Sequence, residues 1–264
     1  MIGTARGLSP SDMTDNQDFA GRTALVTGAA SGIGAAAAAA LAARGAARLF
    51  LVDVDGAGLD ALDLPGEVHR IVGSVADEAL WHSLEPRLTG LDHALVNAGI
   101  GAGGPIASIS LAEWRRVMAV NLDGAFLTLA TALRAMSDTG GSAVVVASVT
   151  GLKPVPGIGP YGVSKAAVAH MARIAAVENA GKGIRVNAIA PGGVDTAIWE
   201  SGEDFQRSVA AIGREATLKA MAKTTPLGRF ATSEEMADSI LYLLSDAASN
   251  ITGHVMVSDG GFTL

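Results

Sequence analysis

The sequence predicts an α/β domain built on a doubly wound sheet of seven mostly parallel strands, with helices on both faces. Two observations lead to this prediction. Short runs rich in β-branched residues alternate with longer runs of helical composition, which is the rhythm of βαβ units. The short runs are almost continuously apolar, as strands covered on both faces are. A chain of 264 residues that is 49% hydrophobic can bury one large core, so we expect a single domain.

The candidate elements follow one another regularly along the chain. The strands are predicted at 23–27, 48–52, 68–72, 93–97, 142–148, 184–190 and 254–259. The main helices are predicted at 32–45, 111–137, 161–180 and 232–245. The rhythm breaks between residues 192 and 230, where no strand is predicted. Because such a long excursion in a compact domain usually has a function, we interpret residues 196–225 as a lid over a binding site.

Composition excludes several classes of function. The formal charge is −7, from 19 Lys and Arg against 26 Asp and Glu, and no basic run occurs, so binding of nucleic acid or an anionic membrane is not expected. The chain has no cysteine, and its five histidines show no metal-ligand spacing, so no metal site is expected. Residues 1–20 form a polar N-terminal extension without the apolar segment of a signal peptide, before a domain at 21–264. We expect that no later apolar run is long enough to cross a bilayer and that the protein is cytoplasmic.

A glycine-rich loop follows the first predicted strand. Gly28, Gly32 and Gly34 stand between that strand and the first helix, and Asp53 ends the second strand nineteen residues after Gly34. Glycines allow a tight turn and let the amides of a helix N-terminus approach a pyrophosphate, while the carboxylate can accept hydrogen bonds from a ribose. This arrangement predicts a Rossmann-type dinucleotide site.

A serine, a tyrosine and a lysine lie around a loop rich in glycine and proline. Tyr161 and Lys165 are four residues apart, which places them on one face of a helix. An ammonium group beside a phenol lowers its pKa, so Tyr161 is a candidate general acid and base. Ser148 lies thirteen residues before Tyr161, at the carboxyl end of a strand, where ligands bind in open α/β sheets. Its hydroxyl can orient a substrate oxygen.

Five motifs in order resemble those of the short-chain dehydrogenase/reductase family. They are "TGAASGIG" (27–34), "NAG" (97–99), "YGVSK" (161–165), "APGGVDT" (190–196) and "ITGHVMVSDGG" (251–261). The resemblance covers nearly all of the chain from about residue 20. It implies that Tyr161 transfers the hydroxyl proton, that Lys165 lowers the pKa of Tyr161 and binds the nicotinamide ribose, and that Ser148 orients the substrate. It further implies that Asn121 holds a water near Lys165 in a proton relay.

The cofactor contacts combine the glycine loop with what the resemblance implies. The predicted cofactor-binding residues are Gly28, Ser31, Gly32, Ile33, Gly34, Asp53, Val75, Asn97, Ala98, Gly99, Tyr161, Lys165, Pro191, Gly192, Val194 and Thr196. Asn97 could instead be mainly structural. Ser74 departs from the family, since an Asp that binds the adenine amine is common at that position.

NAD is the predicted cofactor because of the residues around the adenine ribose. A 2′-phosphate would bring a second anion close to Asp53. Neither Val54 nor Ser31 could neutralise that phosphate, and Arg48 lies at the far end of the strand.

The substrate is expected to be a small neutral ketone or secondary alcohol with an apolar body. Apolar residues of the predicted lid, such as Trp199 and Phe205, and of the loop after Ser148, such as Leu152, would form its pocket. A 3-oxoacyl carrier-protein reductase is an alternative, as is a dinucleotide-binding sensor without catalysis. The resemblance also implies a homotetramer in which the helices at 111–137 and 161–180 pack against their symmetry mates.

Overall fold

A computed structural model describes residues 17–264 and contains the predicted seven-stranded sheet. The strands are β1 (Thr23–Thr27), β2 (Arg48–Asp53), β3 (Glu67–Val72), β4 (His93–Val96), β5 (Gly141–Val146), β6 (Ile184–Pro191) and β7 (Val255–Ser258). Their order across the sheet is β3-β2-β1-β4-β5-β6-β7. Every pairing between these strands is parallel. The fold class is confirmed.

Helices connect the strands and cover both faces of the sheet. They are α1 (Gly32–Ala43), α2 (Gly56–Asp60), α3 (Glu78–Leu84), α4 (Leu111–Met118), α5 (Gly124–Ala135), α6 (Gly159–Asn179), α7 (Glu203–Ile212), α8 (Arg214–Met221) and α9 (Ser233–Leu244). One apolar cluster joins a sheet face to α5 and α6, and a second joins the other face to α1 and α9. Buried Ala37 and Ala38 allow α1 to lie close to the sheet.

The helix predicted at 111–137 is interrupted. A π-helical turn at Ala119–Asp123 separates α4 from α5. Inserted residues of this kind are frequent at functional sites. The combined stretch Leu111–Ala135 is long and apolar enough to cross a bilayer on length and composition alone, contrary to the expectation that no apolar run is long enough. Here it packs beside α6 and the sheet, and a core helix passes the same test.

Packed structure begins inside the predicted N-terminal extension. Residues 1–16 lie outside the described residues. Phe19 is fully buried, its amide donates to the Arg44 carbonyl, and its ring meets that of His93 edge to face at 5.1 Å. The core therefore includes a residue that lies before the predicted domain start at 21, because this aromatic ring closes the amino end of the sheet.

The carboxyl ends of the parallel strands share one edge of the sheet. The chain leaves β1 and β4, which are neighbours, toward opposite faces, so a crevice opens between the loops that follow them. Residues 28–31, 97–101, 147–158 and 192–196 follow the strands at this edge. The predicted dinucleotide loop and the predicted catalytic residues are therefore brought to the same rim.

Candidate active site

The glycine loop after β1 forms a turn that only small residues allow. Gly28 and Gly32 adopt φ values of 65° and 53°, which lie in the left-handed region. A Cβ at Gly34 would collide with the Gly28 carbonyl oxygen. The turn leads directly into α1, with Ser31 exposed and Ile33 half-buried at its start. The amino end of a helix behind an open turn suits a pyrophosphate.

Asp53 is fixed beside this turn. Its Oδ2 accepts a hydrogen bond from the Ala30 amide, and its Oδ1 accepts one from the Asp55 amide, both at 3.0 Å. Val54 is 69% exposed next to it. The carboxylate is thus held at the rim with lone pairs left for further donors, as a ribose contact requires. The glycine cradle and this carboxylate fit the adenosine diphosphate part of a dinucleotide.

The loop after β6 meets the glycine turn from the other side. The Thr196 methyl group would lie 3.0 Å from a Cβ at Gly32. Pro191 ends β6 and is buried, as is Val194, and a Cβ at Gly192 would lie 2.7 Å from the Cα atom of Asp259. The residues predicted to contact the nicotinamide therefore line the same crevice as the phosphate loop.

Three further predicted contacts lie after β4, and one lies after β3. Asn97 binds the neighbouring loop, since its Nδ2 donates to the Thr27 carbonyl at 3.0 Å and to the Gly28 carbonyl at 3.2 Å. Its side chain is therefore structural, the role that the sequence left open. Gly99 is exposed and Ala98 half-buried at the rim, whereas Val75 is 5% exposed and packs under α5.

Ser148, Tyr161 and Lys165 lie together. Ser148 follows β5, and Tyr161 stands in the first turn of α6 with Lys165 one turn later. The Lys165 Nζ lies 5.7 Å from the centre of the Tyr161 ring and donates to the Val146 carbonyl at 2.8 Å. The Ser148 hydroxyl hydrogen-bonds the Tyr161 phenol in the sense that lowers the pKa of Tyr161. The structure thus brings the three predicted side chains to one place.

Burial governs the protonation of this cluster. It raises the pKa of Tyr161 above the ordinary value of 10.0, and the hydrogen bond from Ser148 opposes that rise. Burial also lowers the pKa of Lys165 to about 8. The role predicted for Lys165, lowering the pKa of Tyr161, stays a prediction, since burial sets the direction of the shift in the free protein and the Lys165 ammonium lies beside the ring.

Asn121 lies in the π-helical turn behind the catalytic cluster. Its side chain forms hydrogen bonds with both backbone groups of Ile100 and donates to the Ser164 hydroxyl at 3.2 Å. Its Oδ1 and the Lys165 Nζ would lie 3.4 and 3.3 Å from a Cβ at Gly99. Asn121 is therefore close to Lys165, and its side chain fixes the rim loop after β4.

The sequence and the fold of this chain match those of known proteins of one family. The family model described as "Enoyl-(Acyl carrier protein) reductase" matches residues 28–263. A crystal structure of a short-chain type dehydrogenase/reductase from Mycobacterium marinum superposes with a TM-score of 0.83 at 32% identity, covering 94% of this chain and 98% of that one. The chain belongs to the short-chain dehydrogenase/reductase family. It is therefore an oxidoreductase with a Rossmann-type fold, in a family whose dehydrogenases use nicotinamide cofactors.

Two curated relatives in the short-chain dehydrogenase/reductase family show its range. Cis-4-hydroxycyclohexanecarboxylate dehydrogenase from Sinomonas cyclohexanicum is 41% identical over 255 residues, 93% of this chain and 98% of that protein. The 3-oxoacyl-[acyl-carrier-protein] reductase FabG from Thermotoga maritima is 35% identical over 254 residues, 92% of this chain and 98% of that protein.

The predicted lid consists mainly of α7 and α8. The Trp199 indole donates to the Val194 carbonyl at 2.7 Å and stacks on Phe230 with centroids 5.4 Å apart. Phe205 is 7% exposed, and Arg214 forms ion pairs with Asp195 and Glu200. Trp199 and Phe205 therefore anchor the lid to the domain, and much of the surface of α7 and α8 remains exposed.

Sequence reasoning missed two hydroxyl groups at the site. Thr150 donates to Ser148 from its amide and its hydroxyl, and Ser164 donates to the Tyr161 carbonyl while receiving the hydrogen bond from Asn121. The spacing Ser-x-Thr was a usable signal, since a Ser side chain often bonds the amide two residues later. For Ser164 the spacing indicated only the local contact with the Tyr161 carbonyl, because its other partner, Asn121, is 43 residues away.

Proposed function

We propose that this protein is an NAD(H)-dependent oxidoreductase that transfers a hydride between nicotinamide and a secondary alcohol or ketone. The observation that carries the proposal is the convergence of Ser148, Tyr161 and Lys165 at the rim beside the glycine turn. A phenol, an ammonium and a hydroxyl around one point can move a proton to or from a substrate oxygen. Membership of an oxidoreductase family agrees with this chemistry.

The side chains have separate tasks in the proposed reaction. The nicotinamide, when bound, accepts or gives the hydride. In alcohol oxidation the ionised Tyr161 takes the hydroxyl proton as the carbonyl forms, and in reduction the neutral phenol returns it. Ser148 donates a hydrogen bond to the substrate oxygen. Lys165 stabilises the phenolate by its charge and has N–H groups beyond the one given to Val146 for a ribose. Asn121 fixes the loop after β4, which borders Lys165. In the proposed reaction Asn121 also holds a water near Lys165 for a proton relay.

A small neutral alcohol or ketone, cyclic in shape, is the proposed substrate. Two basic residues that border the crevice are already engaged, since Lys153 donates to the Phe262 carbonyl and Arg214 pairs with Asp195 and Glu200. This favours a neutral substrate. Leu152 and Ile198 expose apolar surface on opposite loops. The relative from Sinomonas cyclohexanicum is named for cis-4-hydroxycyclohexanecarboxylate, which supports a cyclic body but carries a charge that the proposed substrate lacks.

Reduction of a 3-oxoacyl group on a carrier protein is the second candidate. The relative from Thermotoga maritima supports it at 35% identity. Against it, a carrier-protein enzyme of this kind would favour NADPH and a basic rim for an acidic partner, whereas this chain carries Asp53 and a formal charge of −7.

The deciding experiment is hydride transfer measured with a panel of cyclic and linear secondary alcohols and a 3-oxoacyl thioester. We expect turnover of a cyclic alcohol with NAD. Tyr161→Phe should reduce kcat by about 10² to 10⁴, the usual contribution of general acid and base catalysis, with NADH binding by fluorescence almost unchanged. A Tyr161→Phe variant that keeps more than about half of the kcat would refute the assignment.

We also propose a cytoplasmic homotetramer with two-fold symmetry. The helices predicted to meet their symmetry mates carry exposed apolar side chains, namely Phe126 on α5 and Ile174 and Val177 on α6. Exposed apolar patches on a folded domain mark interaction surfaces. Light scattering at micromolar concentration should give four times the chain mass, and a monomer mass would contradict the proposal.

A further inference from the structure

The hydroxyl of Ser148 receives two hydrogen bonds from one neighbour. The Thr150 amide donates to the Ser148 Oγ at 3.2 Å, and the Thr150 hydroxyl donates to the same atom at 3.0 Å. Ser148 is 7% exposed and stands at the start of a short 3₁₀ turn, Val149–Gly151. Both donors thus approach Ser148 from a single turn of backbone.

A serine hydroxyl has two acceptor lone pairs and one proton. With both lone pairs occupied by Thr150, the proton has one direction left, away from the turn. Ser148 also lowers the pKa of the Tyr161 phenol, which is the effect of a hydrogen bond that Ser148 donates to it. Because Thr150 fills the acceptor sites of Ser148, the Ser148 proton stays available for that hydrogen bond.

The 3₁₀ turn is pressed against α6, which holds Thr150 in place. A Cβ at Gly151 would lie 2.6 Å from the Ala166 amide nitrogen, and a Cβ at Gly162 would lie 3.1 Å from the Thr150 carbonyl oxygen. A side chain at Gly151 would clash with α6, and one at Gly162 would press tightly on Thr150. The helix that carries Tyr161 and Lys165 therefore also fixes the backbone of Thr150.

We propose that Thr150 is a positioning residue that fixes Ser148 as a hydrogen-bond donor to the reacting oxygen. This proposal rests on the proposed function. Without the Thr150 hydroxyl, the Ser148 proton could turn to other acceptors, and Ser148 could itself accept from the protonated phenol, which would favour neutral Tyr161. The role of Thr150 is thus electrostatic, and it acts only through Ser148.

The test compares Thr150→Val, which keeps the shape and removes the hydroxyl, with Thr150→Ser, which keeps the hydroxyl. The chain has only two tyrosines, so ¹³Cζ-tyrosine NMR resolves Tyr161, and Tyr242→Phe assigns the signals. The charged group against the Tyr161 ring is Lys165, which both variants retain. We expect Thr150→Val to raise the pKa of Tyr161 by about 0.5 or more and Thr150→Ser to leave it nearly unchanged.

Steady-state kinetics provide the second readout. Thr150→Val should lower kcat/KM for the alcohol roughly tenfold, mainly through kcat, with the KM for NAD unchanged, and Thr150→Ser should restore most of the rate. A Tyr161 titration and a kcat in Thr150→Val that match the unmutated protein would overturn the proposal. Because the NMR titration needs no substrate, a shifted pKa in a protein without dehydrogenase activity would support the role of Thr150 and refute the proposed function.

Discussion

Lys165 is 4% exposed, and its ammonium group donates to the Val146 carbonyl in the interior of the domain. Burial lowers its pKa to about 8, so it is largely protonated at pH 7 and mostly neutral above pH 9. Confining a charge in this way costs folding free energy. A lysine kept at such a position, within reach of a phenol and a serine, is most simply explained by chemistry at the site.

Asp53 should decide which dinucleotide is used. Its carboxylate is held by the Ala30 and Asp55 amides and cannot swing away from a 2′-phosphate, so NADP would bring two anions together. We expect kcat/KM to be at least about 100-fold higher with NAD than with NADP, which corresponds to about 2.7 kcal/mol. Steady-state kinetics with both cofactors at several ionic strengths measure the ratio.

Two variants separate the charge of Asp53 from its hydrogen bonds. Asp53→Ala with Val54→Arg should narrow or reverse the preference for NAD, because one anion is removed and a phosphate partner is added. Asp53→Asn is the matched control, since its amide oxygen can still accept from the Ala30 amide. Comparable kcat/KM for NAD and NADP in the unmutated protein would show that Asp53 does not select the cofactor.

The spacing of Tyr161 and Lys165 predicted that their side chains lie close together, but it did not predict the direction of their pKa shifts. Tyr161 and Lys165 fall on one face of α6 as the spacing of four requires. The direction in which the pKa of Tyr161 moves depends on burial by distant segments and on Ser148, and neither is encoded in local spacing. The spacing Ser148-x-Thr150 indicated the contact of the Thr150 amide, but the importance of the Thr150 hydroxyl depends on how the 3₁₀ turn packs against α6.

At the level of single elements, the π-helical turn shows a limit of pattern analysis. The stretch 111–137 has a helical pattern throughout, and one inserted residue hardly changes an apolar periodicity. What defines the turn is Asn121, whose side chain bonds the Ile100 backbone 21 positions away. The π-helical turn between α4 and α5 therefore depends on a tertiary contact, which a local pattern does not show.

The lid formed by α7 and α8 should open more readily than the sheet. Most of its described residues are exposed, and the contacts that hold it include the Trp199 indole, buried Phe205 and the ion pairs of Arg214. Segments with few buried contacts have low local stability. Hydrogen exchange in residues 196–225 should be fast in the free protein and slow with NAD and a substrate analogue bound.

The strands supply the internal control for the exchange experiment, since β4 and β5 should be equally protected in both states. Arg214→Gln should accelerate exchange in the lid without affecting the sheet, because it removes the ion pairs to Asp195 and Glu200. Equal protection of the lid with and without ligands would identify it as a fixed wall.

For the molecule as a whole, alternation of strands and helices was sufficient to predict the sheet and its two covered faces. Each predicted strand is present, because strands buried on both faces leave a strong apolar signal. The short helices α2 and α3 were not predicted, since five and seven residues carry little periodicity. Phe19 was assigned to an extension because one aromatic residue in a polar stretch does not reveal its burial.

His93 should make the fold sensitive to acid. It is buried, its Nδ1 bonds the Ser142 hydroxyl at 2.9 Å, and burial lowers its pKa from 6.5 to about 4. The unfolded chain takes up this proton below pH 6.5 and the folded chain does not, so stability is complete above pH 6.5 and is lost as the pH falls toward 4. The loss should reach about 2 to 3 kcal/mol at pH 4.5.

Urea unfolding at fixed protein concentration between pH 4.5 and 7.5 measures this effect. His93→Gln should be less stable at pH 7.5 yet show a shallower decline toward acid pH, because its side chain does not titrate. The prediction fails if the variant and the unmutated protein lose the same free energy of unfolding over this range.

The central position of β1 has a consequence for biosynthesis. β1 pairs with β2 on one side and β4 on the other, and the Thr27 hydroxyl bonds the Leu95 carbonyl 68 positions later. Because a ribosome adds about 5 to 20 residues per second, Leu95 in β4 is synthesised roughly 3 to 14 seconds after β1. The hydrogen bond from Ser142 to the Leu244 carbonyl spans 102 positions, so it can form only after a longer delay. The nascent chain therefore holds an apolar strand with one open edge for seconds, and we expect chaperones to occupy it during synthesis.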